Sequence, residues 1–538
     1  MSIIETTYGH IKGIQKISCY DNSYLAFYGV PYAKQPVGEY RFKDPRPLEA
    51  WEGVLDATKV GDACWNFDRL NPNPNEKKII GSDNCLHLNI YVPHGTIEDE
   101  TKKKPVMVYI HGGRFATMSA NPFYYGPDFL MEQDVILVTI NYRLGAFGFL
   151  SLDDPSLKIP GNAGIKDQLM ALKWVQSEIG NFGGDSQNVT LFGESAGACS
   201  VHLHLLYEPA RGLFQRAIIM SGSAFGPWSV RSNDNQMAYR LAKALGYKGD
   251  ANDDKEVFKV ISEADPNRIV QLQNELLNEN EKHVEQLITF GPVVEPYLTE
   301  MTFIKKHPLQ SEVWQTAWGN SIDVMIGGCS LEGLLMYPYV SLEKISALGN
   351  FSHVIAQNVQ LDHTSKTCIE KGLKLKNFYY GTETPSMDNV DIYIDIQTDK
   401  NFWHGMWMAM KAHRGSNTYL YRFDVAPSDY NQTIRVLCNI PHQRGAAHVE
   451  DVFYIFKAEY LELPMRASRD DKIIRMFSKS FGDFAKDGNP SPKDIIWRPV
   501  ESSDDVKCLN INENEVQFIS FPEKDRMKLW DEICETNF

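Results

Sequence analysis

Several short β-branched runs in this chain end in glycine or small polar residues: VMVYIHGG (106–113), DVILVTINY (134–142), NVTLFGES (188–195), AIIMSGS (217–223) and DVMIGG (323–328). The runs are continuous rather than alternating, as expected of strands covered on both faces. Helical patterns lie between them. The clearest is GNAGIKDQLMALKWVQSEIG, where Asn162 can cap and Ile165, Leu169, Leu172 and Ile179 share one face. Strand and helix alternating in this way point to an α/β protein with a large, mostly parallel central sheet flanked by helices. Residues 230–320 are richer in charge and helix formers, and read as a helical excursion over the sheet's carboxyl edge, where such segments wall pockets. The region 350–415 reads the same way. No internal repeat or low-complexity linker divides residues 1–538, which are therefore expected to form a single domain.

Composition excludes some partners. A formal charge of -15 argues against nucleic acid, because phosphate binding needs concentrated Lys and Arg. The N-terminus, MSIIETTYGHIKGIQK, has no apolar h-region, and no run is long and apolar enough to span a membrane, so a cytoplasmic location is expected. Removal of a leader peptide would reverse that expectation, and with it the free-thiol and bare-sequon readings that follow. The nine cysteines lack CxxC spacing, which disfavours zinc. Cys64 and Cys85 could close a loop, but in a cytosolic chain free thiols are the default. The sequons at Asn188, Asn350 and Asn431 would then carry no sugar.

One motif carries chemistry. LFGESAGA holds G-x-S-x-G as Gly193, Glu194, Ser195, Ala196 and Gly197. The pattern alone is common, but here it follows the strand NVTLF and precedes the helix-compatible AGACSVHLHLL. That strand–turn–helix context is the setting of a nucleophile elbow. A serine hydroxyl is a weak nucleophile at neutral pH and needs a general base. The stretch YIHGGRFA supplies a possible second half: HGG after a strand, about 80 residues before the serine, suits a loop that donates oxyanion-hole N–H groups. An ordinary tight turn is the bland alternative for Gly112 and Gly113.

Further segments make the chain resemble the type-B carboxylesterase/cholinesterase family of α/β-hydrolases, particularly insect α-esterase-like carboxylesterases. FYGVPYAKQPVGEYRF, GSDNCLHLNIYVP, NYRLGAFGFLS, PGNAGIKDQLMALKWV, NFGGD, FGESAGA, RGLFQRAIIMSGS and TAWGNSI occur in the family's order across nearly the whole chain. The resemblance implies an α/β-hydrolase fold and a serine carboxylesterase that acts through an acyl-enzyme without metal or cofactor. It places the acid at Glu332 in GGCSLEGLL and the base at His448 in GAAHVEDVFYIF; sequence alone could not choose His448 among 14 histidines. It also implies an oxyanion hole from the N–H groups of Gly113, Arg114 and Ala196. Ser221 resembles a serine beside the acid and histidine. Trp228 is read either as acyl-pocket lining or as core. Glu194 either tunes the field at the nucleophile or is incidental. Arg41 with Asp83, and Arg143 with Asp167, resemble structural ion pairs, while His202 and His204 diverge on a helix and make an improbable metal site.

Departures from the pattern matter. The loop from Cys64 to Cys85 is shorter than in cholinesterases and offers no counterpart to their cation-binding tryptophan, since Trp65 sits beside the cysteine. Uncharged esters, xenobiotic or lipid-derived, are therefore expected over choline esters. Asn84 stands where the family has Asp. Arg114 occupies the third position of the usual HGGG. If φ there is positive, its Cβ costs about 1–2 kcal/mol; if negative, only side-chain bulk is at issue. Competing readings are a slow esterase that sequesters organophosphates on its serine, and a non-catalytic binding member of the family. A monomer and a homodimer are both compatible with the sequence.

Overall fold

In a computed structural model of the chain, the glycine-terminated runs lie side by side at the centre of an 11-stranded sheet. The structure describes residues 2–536 except 69–77, 98–101, 232–235, 433–434, 437–438 and 441–443. The sheet strands in chain order are β1 (Ile14–Ile17), β2 (Ser23–Pro31), β3 (His87–Pro93), β4 (Lys104–Ile110), β5 (Ile136–Ile140), β6 (Gly184–Glu194), β7 (Arg216–Met220), β8 (Asp323–Cys329), β9 (Thr418–Asp424), β10 (Lys507–Asn512) and β11 (Val516–Ser520). Across the sheet they run β1-β2-β3-β5-β4-β6-β7-β8-β9-β10-β11. Neighbours from β5 to β10 are parallel, and the outer ones are antiparallel. The chain therefore has the α/β-hydrolase fold. Every residue of β5 is buried, as double coverage requires. The edge strand β11 has no fully buried residue, and no apolar run marked it.

Helix α1 (Ala163–Glu178) covers one face, and Ile165, Leu169, Leu172 and Ile179 are buried as expected. The Asn162 cap is a correction. Asn162 takes φ 60°, and its side chain makes no capping bond. Instead its amide donates to Val293 O at 2.8 Å and accepts from Val293 N at 2.9 Å, pinning a returning segment. A left-handed asparagine turns its side chain away from the helix it precedes, and local hydrogen bonding makes that conformation tolerable.

The free-thiol expectation also fails. Cys64 and Cys85 form a disulfide whose Cα atoms are 4.9 Å apart. The surrounding loop is tied by side chains: Arg41 donates to Asp83 Oδ2 at 2.6 Å, and Trp65 Nε1 donates to Asp83 Oδ1 at 3.1 Å. Packing brings the two cysteines together, and their sequence separation could not show it. Arg143 and Asp167 form a bidentate pair at 2.6 and 2.8 Å, and Arg143 also donates to Lys43 O. Asn188 and Asn431 lie in packed surroundings, the former bonded to Arg216 and the latter buried.

Helix α2 (Ala196–Leu206) leaves the carboxyl end of β6. The stretch 230–320 carries helices from Gln236–Ala244 to Ser311–Gln315. The stretch 350–415 ends in α3 (Val390–Thr398), a π-helical turn (Asp399–Trp403) and α4 (His404–Ala412). Among the described residues no helix is long and apolar enough to cross a membrane.

Candidate active site

Ser195 stands where β6 turns into α2. Its backbone is at φ 58° and ψ -119°, a strained conformation held by Ser195 N donating to Met220 O at 2.8 Å. Gly197 is required there because any Cβ would overlap Ile110 O on the neighbouring strand. The turn thus presses against the end of β4, and it lifts the Ser195 side chain off the sheet's carboxyl edge.

Two other loops converge on that point. Glu332 follows β8, and the 445–450 segment carries His448. They are laced together: Leu331 N donates to Ala446 O at 2.9 Å, and Ala446 N donates to Ser330 Oγ at 3.0 Å. His448 Nε2 lies 3.0 Å from Ser195 Oγ, and its Nδ1 lies 2.5 Å from Glu332 Oε2. Cys329 N donates to the other Glu332 oxygen at 2.7 Å, which fixes the carboxylate's rotation. All three side chains are nearly closed to bulk water, with Ser195 7% exposed, His448 3% and Glu332 0%. In the neutral imidazole, Nδ1–H donating to Glu332 leaves Nε2 as an acceptor facing Ser195 Oγ.

Carboxyl groups crowd the imidazole. Glu194 Oε1 lies 3.0 Å from His448 Nε2. Burial opposes the imidazolium, but the Glu194 and Glu332 carboxylates outweigh it and raise His448 to about 9. Burial pushes Glu194 up, and His448 opposes the shift. Asp451, three residues beyond the histidine, is pushed up by burial and by Glu332, and its carboxylate accepts from Tyr421 Oη at 2.9 Å. Sequence reasoning left Glu194 undecided and passed over Asp451, although it lies inside the segment that placed His448.

The 111–115 loop flanks the same turn. A Cβ on Gly112 would stand 2.5 Å from Glu194 Oε2 and 3.1 Å from Ser195 Cβ. Gly113 takes φ 100° and Arg114 φ 60°, so the position does carry the left-handed penalty. The N–H groups of Gly113 and Ala196 donate to no group among the described residues. The Arg114 guanidinium donates to Leu287 O, in the excursion over the sheet edge.

Ser221 is fully buried at φ 56°. A Cβ on Gly328 would meet both Glu332 Oε1 and Ser221 Oγ, so the serine borders the acid. Trp228 donates to Asn401 O at 2.8 Å and its ring centroid lies 6.2 Å from that of Phe402. Phe402 was missed from sequence: its ring centroid lies 4.5 Å from that of His448. A π-helical turn delivers it, and no periodicity announces such a turn. His202 and His204 diverge, the first accepting from Ala224 N and the second facing Gln168. Among the described residues no three His, Cys, Asp or Glu side chains converge to hold a metal ion.

Comparison with known proteins agrees in extent as well as kind. A model of the carboxylesterase family matches residues 1–530. Esterase B1 of Culex pipiens is 36% identical over 98% of this chain and 97% of its own length. A juvenile hormone esterase of Tribolium castaneum is 32% identical over 95% of this chain and 88% of its own. The crystal structure of juvenile hormone esterase from Manduca sexta, with OTFP covalently attached, superposes with a TM-score of 0.86 at 29% identity, covering 99% of both chains. A match that runs through every strand of the sheet and every loop at its carboxyl edge leaves one assignment: the chain belongs to the carboxylesterase family and is a serine esterase that hydrolyses carboxylic esters.

Proposed function

We propose that Ser195, His448 and Glu332 carry out this hydrolysis on uncharged carboxylic esters of xenobiotic or lipid-derived origin. The observation that carries the reading is the unbroken relay from Ser195 Oγ to His448 at 3.0 Å and from His448 to Glu332 at 2.5 Å. Ser195 Oγ attacks the ester carbonyl carbon while His448 Nε2 takes its proton. The N–H groups of Gly113, Arg114 and Ala196 stabilise the oxyanion. Collapse expels the alcohol, which leaves with the proton from Nε2, and water then repeats the cycle on the acyl-enzyme. Glu332 keeps the imidazole in the tautomer with Nε2 free and stabilises the imidazolium.

Phe402 sets an apolar ring beside the histidine and Trp228 neighbours Phe402, which suits an uncharged acyl chain. The relatives named juvenile hormone esterases support the lipid-derived part of that range. The Cys64–Cys85 disulfide supports an oxidising compartment over the cytoplasm that the N-terminus suggested. A monomer or a homodimer would serve the chemistry equally.

Burst and steady-state kinetics with a nitrophenyl ester, on wild type and Ser195→Ala, test the assignment. Turnover should vanish in Ser195→Ala while its far-UV spectrum is unchanged. Residual turnover by the folded variant excludes Ser195. A wild-type burst followed by negligible turnover would favour the organophosphate-sequestering alternative, for which the left-handed Arg114 is the supporting observation.

A further inference from the structure

The segment that receives the Arg114 side chain is itself anchored by an unusual buried group. Glu285 is a non-glycine residue at φ 60° and only 7% exposed. Its Oε2 receives Lys400 Nζ at 2.7 Å and Gln397 Nε2 at 2.9 Å. Its Oε1 pairs with Lys344 Nζ at 3.0 Å and accepts from Tyr393 Oη. Lys400 is fully buried. The Lys400 ammonium and the Glu285 carboxylate are both withdrawn from water, while Lys344 is partly exposed; a buried pair of this kind is a poor source of stability, because desolvation cancels much of its attraction. What such a cluster does well is fix geometry, since only one arrangement satisfies every charge.

The geometry it fixes reaches the reacting groups from two sides. Lys400 belongs to the π-helical turn that also carries Phe402, whose ring lies against His448. On the other side, two residues beyond Glu285, Leu287 O accepts from the Arg114 guanidinium, and Thr289 O accepts from Arg231. Phe115, next to Arg114, faces the same segment, since a Cβ on Gly291 would lie 3.5 Å from its ring. Arg114 needs such support. Its left-handed backbone is unfavourable for a residue with a Cβ, and a tethered side chain is what can hold it there.

We infer that Glu285 is a positioning residue for the oxyanion loop: it braces residues 285–290 on Lys400, so that Leu287 O holds Arg114 and thereby the N–H groups at Gly113 and Arg114. The inference rests on the proposed roles of Ser195 and the 113–114 N–H groups. Misaligned oxyanion donors act on the transition state and not on substrate binding, so loosening the brace should lower kcat and leave KM in place.

The test is a double-mutant cycle between Glu285→Gln and Arg114→Ala. Rates for a nitrophenyl acetate are expressed per serine titrated with a fluorophosphonate, so unfolded protein does not count. Glu285→Gln should lower kcat about tenfold with KM within about twofold, a partial loss against the 10²–10³ for a whole donor. In the Arg114→Ala background the same change should cost about twofold or less, because the brace then has nothing to hold. Equal losses in both backgrounds, or an unchanged kcat, overturn the inference. If Glu285→Gln leaves Lys400 too exposed in charge to fold, Glu285→Gln/Lys400→Met replaces it in the same cycle and removes both buried charges. Failure of the site assignment itself is separate and visible: it would show as turnover by Ser195→Ala.

Discussion

Replacing Glu194 by Gln should move the acid limb of the pH–rate profile to lower pH. The substitution is nearly isosteric, so it fits the same space beside Gly112, where a Cβ would already stand 2.5 Å from Glu194 Oε2, and only the charge is lost. As the proposed base, His448 must be neutral to accept the serine proton. Its folded value is raised to about 9, so the competent form is lost as pH falls through that region. Glu194 contributes to the rise from 3.0 Å. Two unit charges about 4 Å apart interact by about 4 kcal/mol at an effective dielectric constant of about 20, which would be about three pH units. Glu194 is itself partly protonated in this range, because burial raises it to about 8, and that shrinks its influence. The expected displacement is therefore about one to two units. The assay is kcat/KM for a neutral nitrophenyl ester from about pH 5 to about pH 10, which reports the free enzyme's base. The sign is fixed: loss of a negative neighbour lowers the imidazolium pKa, so relative activity near neutral pH rises. A limb that stays in place or moves to higher pH would show that Glu194 does not act on His448 electrostatically.

Arg114→Gly relieves a left-handed residue of about 1–2 kcal/mol and clears its side chain; kcat/KM should rise more for a bulky acyl ester than for an acetate, and an unchanged ratio would show that the Arg114 side chain does not restrict the acyl group. Choline esters should not outrun neutral esters of equal size, because Trp65 is held by Asp83 in the disulfide loop; a strong choline preference in kcat/KM would overturn this. Asp167→Asn leaves the Arg143 guanidinium, 2% exposed, without its counter-charge. That should cost about 3–5 kcal/mol in urea unfolding; a loss below about 1 kcal/mol would mean that the carbonyl acceptors at Lys43 and Arg41 suffice.

What could be read from the sequence follows from how each feature is stabilised. Strands β4 to β8 were legible because coverage on both faces demands uninterrupted apolar residues. Strands such as β11, half exposed at an edge, leave a weaker mark. Ser195 was legible because the elbow needs small residues at Gly193 and Gly197 next to a strand. Glu332 and His448 entered through family resemblance: they are 116 residues apart, and nothing local states that they meet. Phe402 and Glu285 were invisible for a related reason. One is presented by a π-helical turn and the other by contacts with Lys344, Tyr393, Gln397 and Lys400, all distant in the chain. Cys64 and Cys85 were misread because compartment was inferred first and packing second.

The placement of the proposed reacting groups also has a consequence in time. Ser195 and His448 are 253 residues apart, and the histidine loop lies beyond β9, near the end of the sheet's parallel run. Contacts of such separation form late, because the intervening chain must be ordered before they can pay back its entropy. During synthesis the serine and its glycine loop leave the ribosome long before any base can reach them. With Ser195 and His448 in the roles proposed above, the growing chain is inert toward esters and becomes an enzyme only when its last third has docked. Activity in a refolding experiment is thus a clock for completion, striking after the secondary structure is in place.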